Sequence, residues 1–230
     1  MTGGIMAAQV DVLRRVPLFS SMDQAHLKAV SQKAFQKTLD RRELVLLEGE
    51  IADALYIVAS GVVKVFMSSP DGKEQILYLA RPGDVINEVS ILDGLPSPLS
   101  AETLGQVVLH GLRRKELVEL LKEYPALATG LTGLLTARLR GLFTLVADLS
   151  FRDVTARLAR LLLVHARKGS GAELPRDMLT QQDMAAMIGT AREMVGRSLK
   201  NLQSLKAIRM ERHRIAVVNE KLLEKIAALG

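Results

Sequence analysis

The sequence predicts an α+β chain: an amino-terminal antiparallel double-stranded β-roll of the jelly-roll kind, one long helix, and a carboxy-terminal winged helix-turn-helix. Three observations carry this. Glycines recur at 49, 61, 72, 83, 94 and 105, a spacing of 11 or 12 that matches one short strand plus one turn, repeated. Leu135, Leu139, Leu142, Val146 and Leu149 step by 4, 3, 4 and 3, as a helix seam does. The stretch 179–200 then reads as two short helices broken at Gly189.

Residues 10–35 have helical spacing. Ser20 or Ser21 is expected to cap a helix that carries Leu27, Val30 and Ala34. From about Lys37 to Leu112 the pattern changes to strands. Leu44–Leu47, Leu55–Val58, Val62–Phe66 and Ile76–Leu79 are short apolar runs parted by turns, among them Pro70-Asp71-Gly72-Lys73 and Pro82-Gly83-Asp84. Arg113-Arg114-Lys115-Glu116 opens a short helix that Tyr124-Pro125 interrupts, and the long seam follows. A helix from about Phe151 to Arg167 comes next, closed by the loop at Lys168–Gly171.

In the two-helix stretch, Thr180 with Asp183 and Thr190 with Glu193 have the spacing of capping pairs. Met184, Ile188, Val195 and Leu199 are spaced to share one core, which leaves Arg192, Arg197 and Lys200 on the outer face. A short cationic helix of this kind suits the DNA major groove. Ile208–Met210 and Ile215–Val218 alternate around Glu211–Arg214 like a hairpin wing, and Asn219 is placed to cap a last helix. The expected domains are residues 1–112 (roll with flanking helices), 113–149 (dimer helix and linker) and 150–230 (winged helix).

Charge follows the same division. Residues 151–230 hold 15 Lys and Arg against 8 Asp and Glu, a net of +7, whereas residues 1–150 hold 16 against 17, a net of −1. A basic module beside a near-neutral one points to a polyanion. With five Phe, three Tyr and no Trp, the chain has few platforms for stacking single-stranded bases, so duplex DNA is favoured. The absence of cysteine excludes disulfides and cysteine-ligated iron–sulfur clusters. No amino-terminal stretch has signal-peptide character and no window reaches 18 apolar residues, so a cytoplasmic protein without a membrane partner is expected. His26, His110, His165 and His213 are dispersed, and neither a Ser-His-Asp arrangement nor a phosphate-cradling loop is present. An enzyme is therefore not expected. The rival reading is a sensor module that regulates a protein partner without touching DNA.

With both halves read, the chain resembles the Crp/Fnr family of bacterial transcription regulators. In the roll the resemblance is carried by Glu48-Gly49-Glu50, Leu55-Tyr56-Ile57-Val58, Gly61, Asp71-Gly72-Lys73-Glu74, Pro82-Gly83-Asp84, Glu88 and Leu92-Asp93-Gly94. In the second half it is carried by Asp153-Val154, Arg157-Leu158-Ala159, Thr180-Gln181-Gln182-Asp183, Arg192-Glu193 and Val195-Gly196-Arg197. The resemblance implies a cyclic-nucleotide-binding-like roll, a homodimer paired through Leu135, Leu139, Leu142, Val146 and Leu149, and a winged helix on palindromic promoters with TGTGA-like half-sites. Double-stranded DNA, a second copy of the chain and RNA polymerase are the implied partners, with an unidentified small-molecule effector as a further one.

The resemblance assigns base reading to Arg192, Glu193 and Arg197. The chemistry agrees: arginine forks onto guanine O6 and N7, and a carboxylate accepts from cytosine N4. Gln182, Thr190 and Lys200, with wing residues Arg209, Arg212 and Arg214, are expected on phosphates. Met194 departs from the family's hydroxyl residue.

The effector region departs further. Relatives that bind cyclic AMP carry a Gly-Glu pair and an Arg-Ser pair that clamps the phosphate. Here Asn87-Glu88 stands at the first place, and Ser97 and Pro98 at the second, with Ser100 beyond. A buried phosphate needs a cation and N–H donors. Ser97 brings no charge and Pro98 no N–H, so control by cyclic AMP is not expected. Haem would need His26 or His110 as its axial ligand and is not expected either.

Overall fold

The structure is a computed structural model, and it describes residues 10, 12–20, 22–168, 173–175, 180–211 and 214–228. The described chain divides into two compact units, Met1–Met67 with Tyr78–Gly141, and Ser68–Leu77 with Leu142–Gly230.

The first part begins with a 3-10 turn, Pro17–Phe19, followed by α1, Gln24–Lys33. The expected serine cap is not used: the Ser20 N–H closes the 3-10 turn on the Pro17 carbonyl, and Ser21 lies outside the described residues. Asp23 caps α1 instead, its carboxylate accepting from the His26 N–H at 2.9 Å.

Strands β1 (Phe35–Leu39), β2 (Leu44–Leu46), β3 (Ala54–Ser60), β4 (Val63–Ser68), β5 (Glu74–Ala80) and β6 (Val85–Ile86) follow, then α2 (Glu88–Asp93), β7 (Ser100–Thr103) and β8 (Val107–Arg113). They form two four-stranded sheets, β1-β8-β3-β6 and β2-β7-β4-β5, with antiparallel pairing throughout the registers observed. The roll read from the glycine spacing is thus present. Gly61 shows why the spacing is legible: its φ is +83°, and an added Cβ would sit 2.4 Å from the Gln106 carbonyl oxygen. Leu39, Val45, Tyr56, Val58, Val63, Val65, Ile86 and Leu109 fill one core of the roll. A second core joins Leu13, Phe19, Leu27, Leu55, Ile57 and Leu112 to Leu117 and Leu120 of α3 (Arg114–Glu123) and to Leu127 and Leu131 of α4 (Ala126–Phe151). The short α2 was not read from the sequence.

Beyond α4 come α5 (Val154–Lys168), β9 (Glu173–Pro175), α6 (Gln181–Ile188), α7 (Arg192–Ser204), β10 (Ile208–Met210), β11 (Arg214–Val217) and α8 (Glu220–Ala228). The long helix runs to Phe151, so α5 starts three residues later than the spacing suggested. The wing has a third strand, in the order β10-β11-β9. β9 went unread because three residues that include a proline carry little strand signal. Asn219 caps α8 as expected, accepting from the Leu222 N–H at 3.0 Å. Leu158, Leu162, Met184, Ile188, Val195, Leu199, Leu202, Ile208, Ile215 and Leu223 are buried, so the four positions expected to share a core are all interior. Among the described residues, no helix is long and apolar enough to cross a membrane.

Candidate nucleic-acid interface

Helix α6 opens on a complete capping box. The Thr180 hydroxyl accepts from the Asp183 N–H at 3.1 Å, and the Asp183 carboxylate accepts from the Thr180 N–H at 2.8 Å. Gly189 ends the helix at φ +62°, and the Thr190 N–H donates to the Ala185 carbonyl at 3.0 Å. The positive φ is what asks for glycine here; an added Cβ would lie 2.5 Å from the Leu149 side-chain tip, which would have to shift.

The expected capping pair of Thr190 with Glu193 does not form. The Thr190 N–H closes α6, and the N-cap of α7 is Ala191, which makes no side-chain cap. Glu193 therefore sits one position earlier in the first turn than a capping partner would. Its carboxylate is not used by the helix itself.

Helix α7 has two chemically distinct faces. Val195, Ser198, Leu199 and Leu202 are buried, and the Ser198 hydroxyl meets that of Thr155 on α5 at 3.1 Å. Arg192, Glu193, Met194, Arg197 and Lys200 are exposed. Glu193, Arg197 and Lys200 follow one another at helical spacing along the outer face. Among the described residues, no hydrogen bond or ion pair engages the side chains of Arg192, Glu193, Arg197 or Lys200. Gln182 is exposed at the start of α6, and Thr190 is half-buried in the turn.

In the wing, Arg209 pairs in register with Ala216 across β10 and β11. The Arg209 and Arg214 guanidinium groups share one carboxylate, Glu211, at 3.0 and 3.2 Å. Both arginines remain more than half exposed. Arg212, the third wing residue expected on phosphate, lies outside the described residues.

The roll residues expected around an effector are differently placed. Asn87 adopts a left-handed backbone at φ 73° and donates its amide to the Ala54 carbonyl at 2.8 Å, while its Oδ1 is buried without a partner among the described residues. Glu88 is buried at the start of α2. Its carboxylate accepts from Arg138 Nε of α4 at 2.9 Å, and Arg138 Nη2 also donates to the Val85 carbonyl at 2.9 Å. The same guanidinium stacks 3.6 Å over the ring of Tyr78. Burial, reinforced by Glu88, pushes the Tyr78 hydroxyl well above the usual phenol range.

Ser97 turns inward, donating its hydroxyl to the Leu99 carbonyl at 2.8 Å, and its backbone exchanges bonds with Gly49 and Glu50. The Ser100 hydroxyl accepts from the Glu48 N–H at 3.0 Å, and Pro98 is exposed. A cavity of about 460 Å3 opens beside Arg138 and is lined by Ser20, Asp84, Thr129, Gly133 and Leu134; none of the five expected effector residues lines it. His26 is half-buried beside Asp23, and His110 is buried, which lowers its pKa from 6.5.

Comparison with known proteins agrees with this arrangement. The model of the Crp-like helix-turn-helix domain matches residues 156–226, and that of the cyclic nucleotide-binding domain matches residues 36–124. A CRP-like cAMP-activated global transcriptional regulator of Mycobacterium tuberculosis is 31% identical over 222 residues, covering 94% of this chain and 99% of that one. The chain belongs to the Crp/Fnr family of transcription regulators. The Cyclic AMP receptor protein of Thermus thermophilus is similar at 31% identity over 211 residues, which cover 92% of this chain and 96% of that protein. FixK2 from Bradyrhizobium japonicum shares the fold at a TM-score of 0.78 and 23% identity, covering 86% of this chain and 98% of that one. This Crp/Fnr chain is therefore a DNA-binding transcription regulator with the α+β architecture expected, and its relatives are regulators rather than enzymes.

Sequence reasoning missed Arg138. Arg138 and Arg140 flank Leu139 alike, and only the folded roll distinguishes the one that turns inward. The seam itself is unevenly covered: Leu135 is half-buried, while Leu139, Leu142, Val146 and Leu149 are exposed along α4.

Proposed function

We propose that this regulator acts as a homodimer that reads palindromic, TGTGA-like half-sites in cytoplasmic promoter DNA and recruits RNA polymerase there. The observation that carries the reading is α7, whose apolar face is fully committed to the core while Arg192, Glu193 and Arg197 face outward without internal partners. Arg192 forks onto a guanine, Glu193 accepts from a cytosine, and Arg197 reads a further base. Gln182, Thr190, Lys200, Arg209, Arg212 and Arg214 contact phosphates and set register. Leu135, Leu139, Leu142, Val146 and Leu149 pair two copies, an assignment supported by the run of exposed apolar side chains on one helix. Two-fold pairing then spaces the reader helices by one DNA turn, about 34 Å. In this division of labour residues 1–112 sense, 113–149 pair and 150–230 read.

Control by cyclic AMP is not part of the proposal. Ser97 and Pro98 provide neither a cation nor an N–H pair for a phosphate, and Glu88 is already held by Arg138. A second reading has one specific support: the Mycobacterium tuberculosis and Thermus thermophilus relatives described above are named for cyclic AMP. Titration calorimetry with cyclic AMP separates the two. No heat of binding is expected, and saturable binding at micromolar concentration would select the second reading.

Sedimentation of the purified chain tests the dimer. Duplex titrations at several salt concentrations test the interface. Affinity is expected to fall linearly in log–log coordinates, the signature of phosphate contacts releasing counterions.

A further inference from the structure

A charged cluster at the junction of α4 and α5, within the second unit, plays no part in base reading, phosphate contact or the seam. Only Arg152 and Asp153 separate the two helices. Asp153 caps α5, accepting from the Ala156 N–H at 2.7 Å. Asp148, one turn back on α4, accepts a hydrogen bond from the Arg152 guanidinium through one oxygen and forms an ion pair with Arg160 Nε of α5 at 3.3 Å through the other. Arg152 Nε also donates to the carbonyl of Ala227, in the last turn of α8, at 3.2 Å. That carbonyl belongs to a helix end, where backbone acceptors lack helical partners and the dipole favours a cation. The Asp148 side chain is 15% exposed and that of Arg152 25%.

One carboxylate thereby links three elements: the helix that carries Leu142, Val146 and Leu149, the first helix of the winged domain, and through Arg152 its last helix. Apolar packing tolerates small rotations. Charge-assisted bonds with defined directions do not. Buried ion pairs are poor sources of net stability, so a partly buried cluster of one anion and two cations is better explained by the geometry it imposes.

We propose that Asp148 is a positioning residue: it fixes the angle at which the winged domain leaves the seam segment, and so restricts the dimer to one half-site spacing. The proposal rests on the palindrome reading above. Its experiment measures affinities of the full chain for one half-site duplex and for palindromes with the optimal spacer and with one base pair added or removed. Four proteins are compared: wild type, Asp148→Leu, Asp148→Glu and Arg160→Gln.

Wild type is expected to lose affinity steeply on either spacer change. Asp148→Leu is expected to bind the optimal palindrome about tenfold more weakly, the scale of one lost specific contact, and to discriminate little between spacers. Its half-site affinity should stay unchanged, which also shows that the reader is folded. Asp148→Glu should restore part of the spacer preference, and Arg160→Gln should lose part of it. An unaltered spacer profile in both Asp148→Leu and Arg160→Gln overturns the proposal. So does an equal loss on half-site and palindrome, which marks a general structural role. If wild type binds single half-sites as tightly as palindromes, the palindrome reading has failed, and the positioning role falls with it.

Discussion

The reader helix and the roll treat their charges in opposite ways. On α7, Arg192, Glu193 and Arg197 face outward, and no internal group answers them among the described residues. In the roll, Glu88, Arg138, Val85 and Tyr78 answer one another: carboxylate to guanidinium, guanidinium to carbonyl and ring. Charged groups kept at a surface without partners are available to a ligand, and the base edges of a duplex offer the matching donors and acceptors. Charges already matched inside a core hold elements together and leave little for a ligand to gain. The wing stands between the two, with exposed arginines that share Glu211.

This contrast can be broken most sharply in the roll. Arg138→Ala strands the Glu88 carboxylate, whose side chain is only 6% exposed. Denaturant unfolding should show a loss of about 3–5 kcal/mol, the usual cost of removing one partner of a buried pair. Replacing both residues with leucine should cost clearly less. Equal losses would mean that the pair is not matched inside the protein as described.

A smaller effect distinguishes the two threonines before the reader helices. Thr180→Ala removes a hydroxyl that caps α6 and should cost about 1 kcal/mol in thermal unfolding. Thr190→Ala removes no cap from α7 and should cost much less. Similar losses at both positions would restore the pairing of Thr190 with Glu193.

The smallest effect is in the wing. Glu211→Gln removes the carboxylate that Arg209 and Arg214 share in an exposed ion pair, which is worth little by itself. Affinity should rise by up to about fivefold on every duplex alike, as fluorescence anisotropy at fixed salt would show. A change confined to particular sequences would place these arginines on bases rather than phosphates.

Legibility followed the range of the interaction. The α6 cap, the core positions Met184, Ile188, Val195 and Leu199, and the glycine turns of the roll each depend on neighbours a few residues apart, so spacing exposes them. The pattern at Thr190 and Glu193 has the same spacing and misleads, because the preceding helix uses the Thr190 N–H for its own closure. Ser20 misleads because it lies three residues before Asp23, the residue at which the helix takes its cap. Strand β9 exists through its pairing with β11, some 40 residues later, and has almost no signal of its own. Arg138 and Arg152 were silent because each has a partner in a distant segment: Glu88 lies 50 residues from Arg138, and Ala227 lies 75 from Arg152. The outward face of α7 was legible, since helical spacing shows which side chains the core does not take.

The most direct test is selection of bound duplexes from a random pool by wild type and by Arg192→Ala. The wild-type sequences should converge on a two-fold symmetric site with guanine at a fixed position in each half. The variant should lose its preference at that position alone, by about 1–3 kcal/mol. An unchanged preference in the variant, or no convergence in the wild type, would contradict the assignment of α7 as the element that reads DNA.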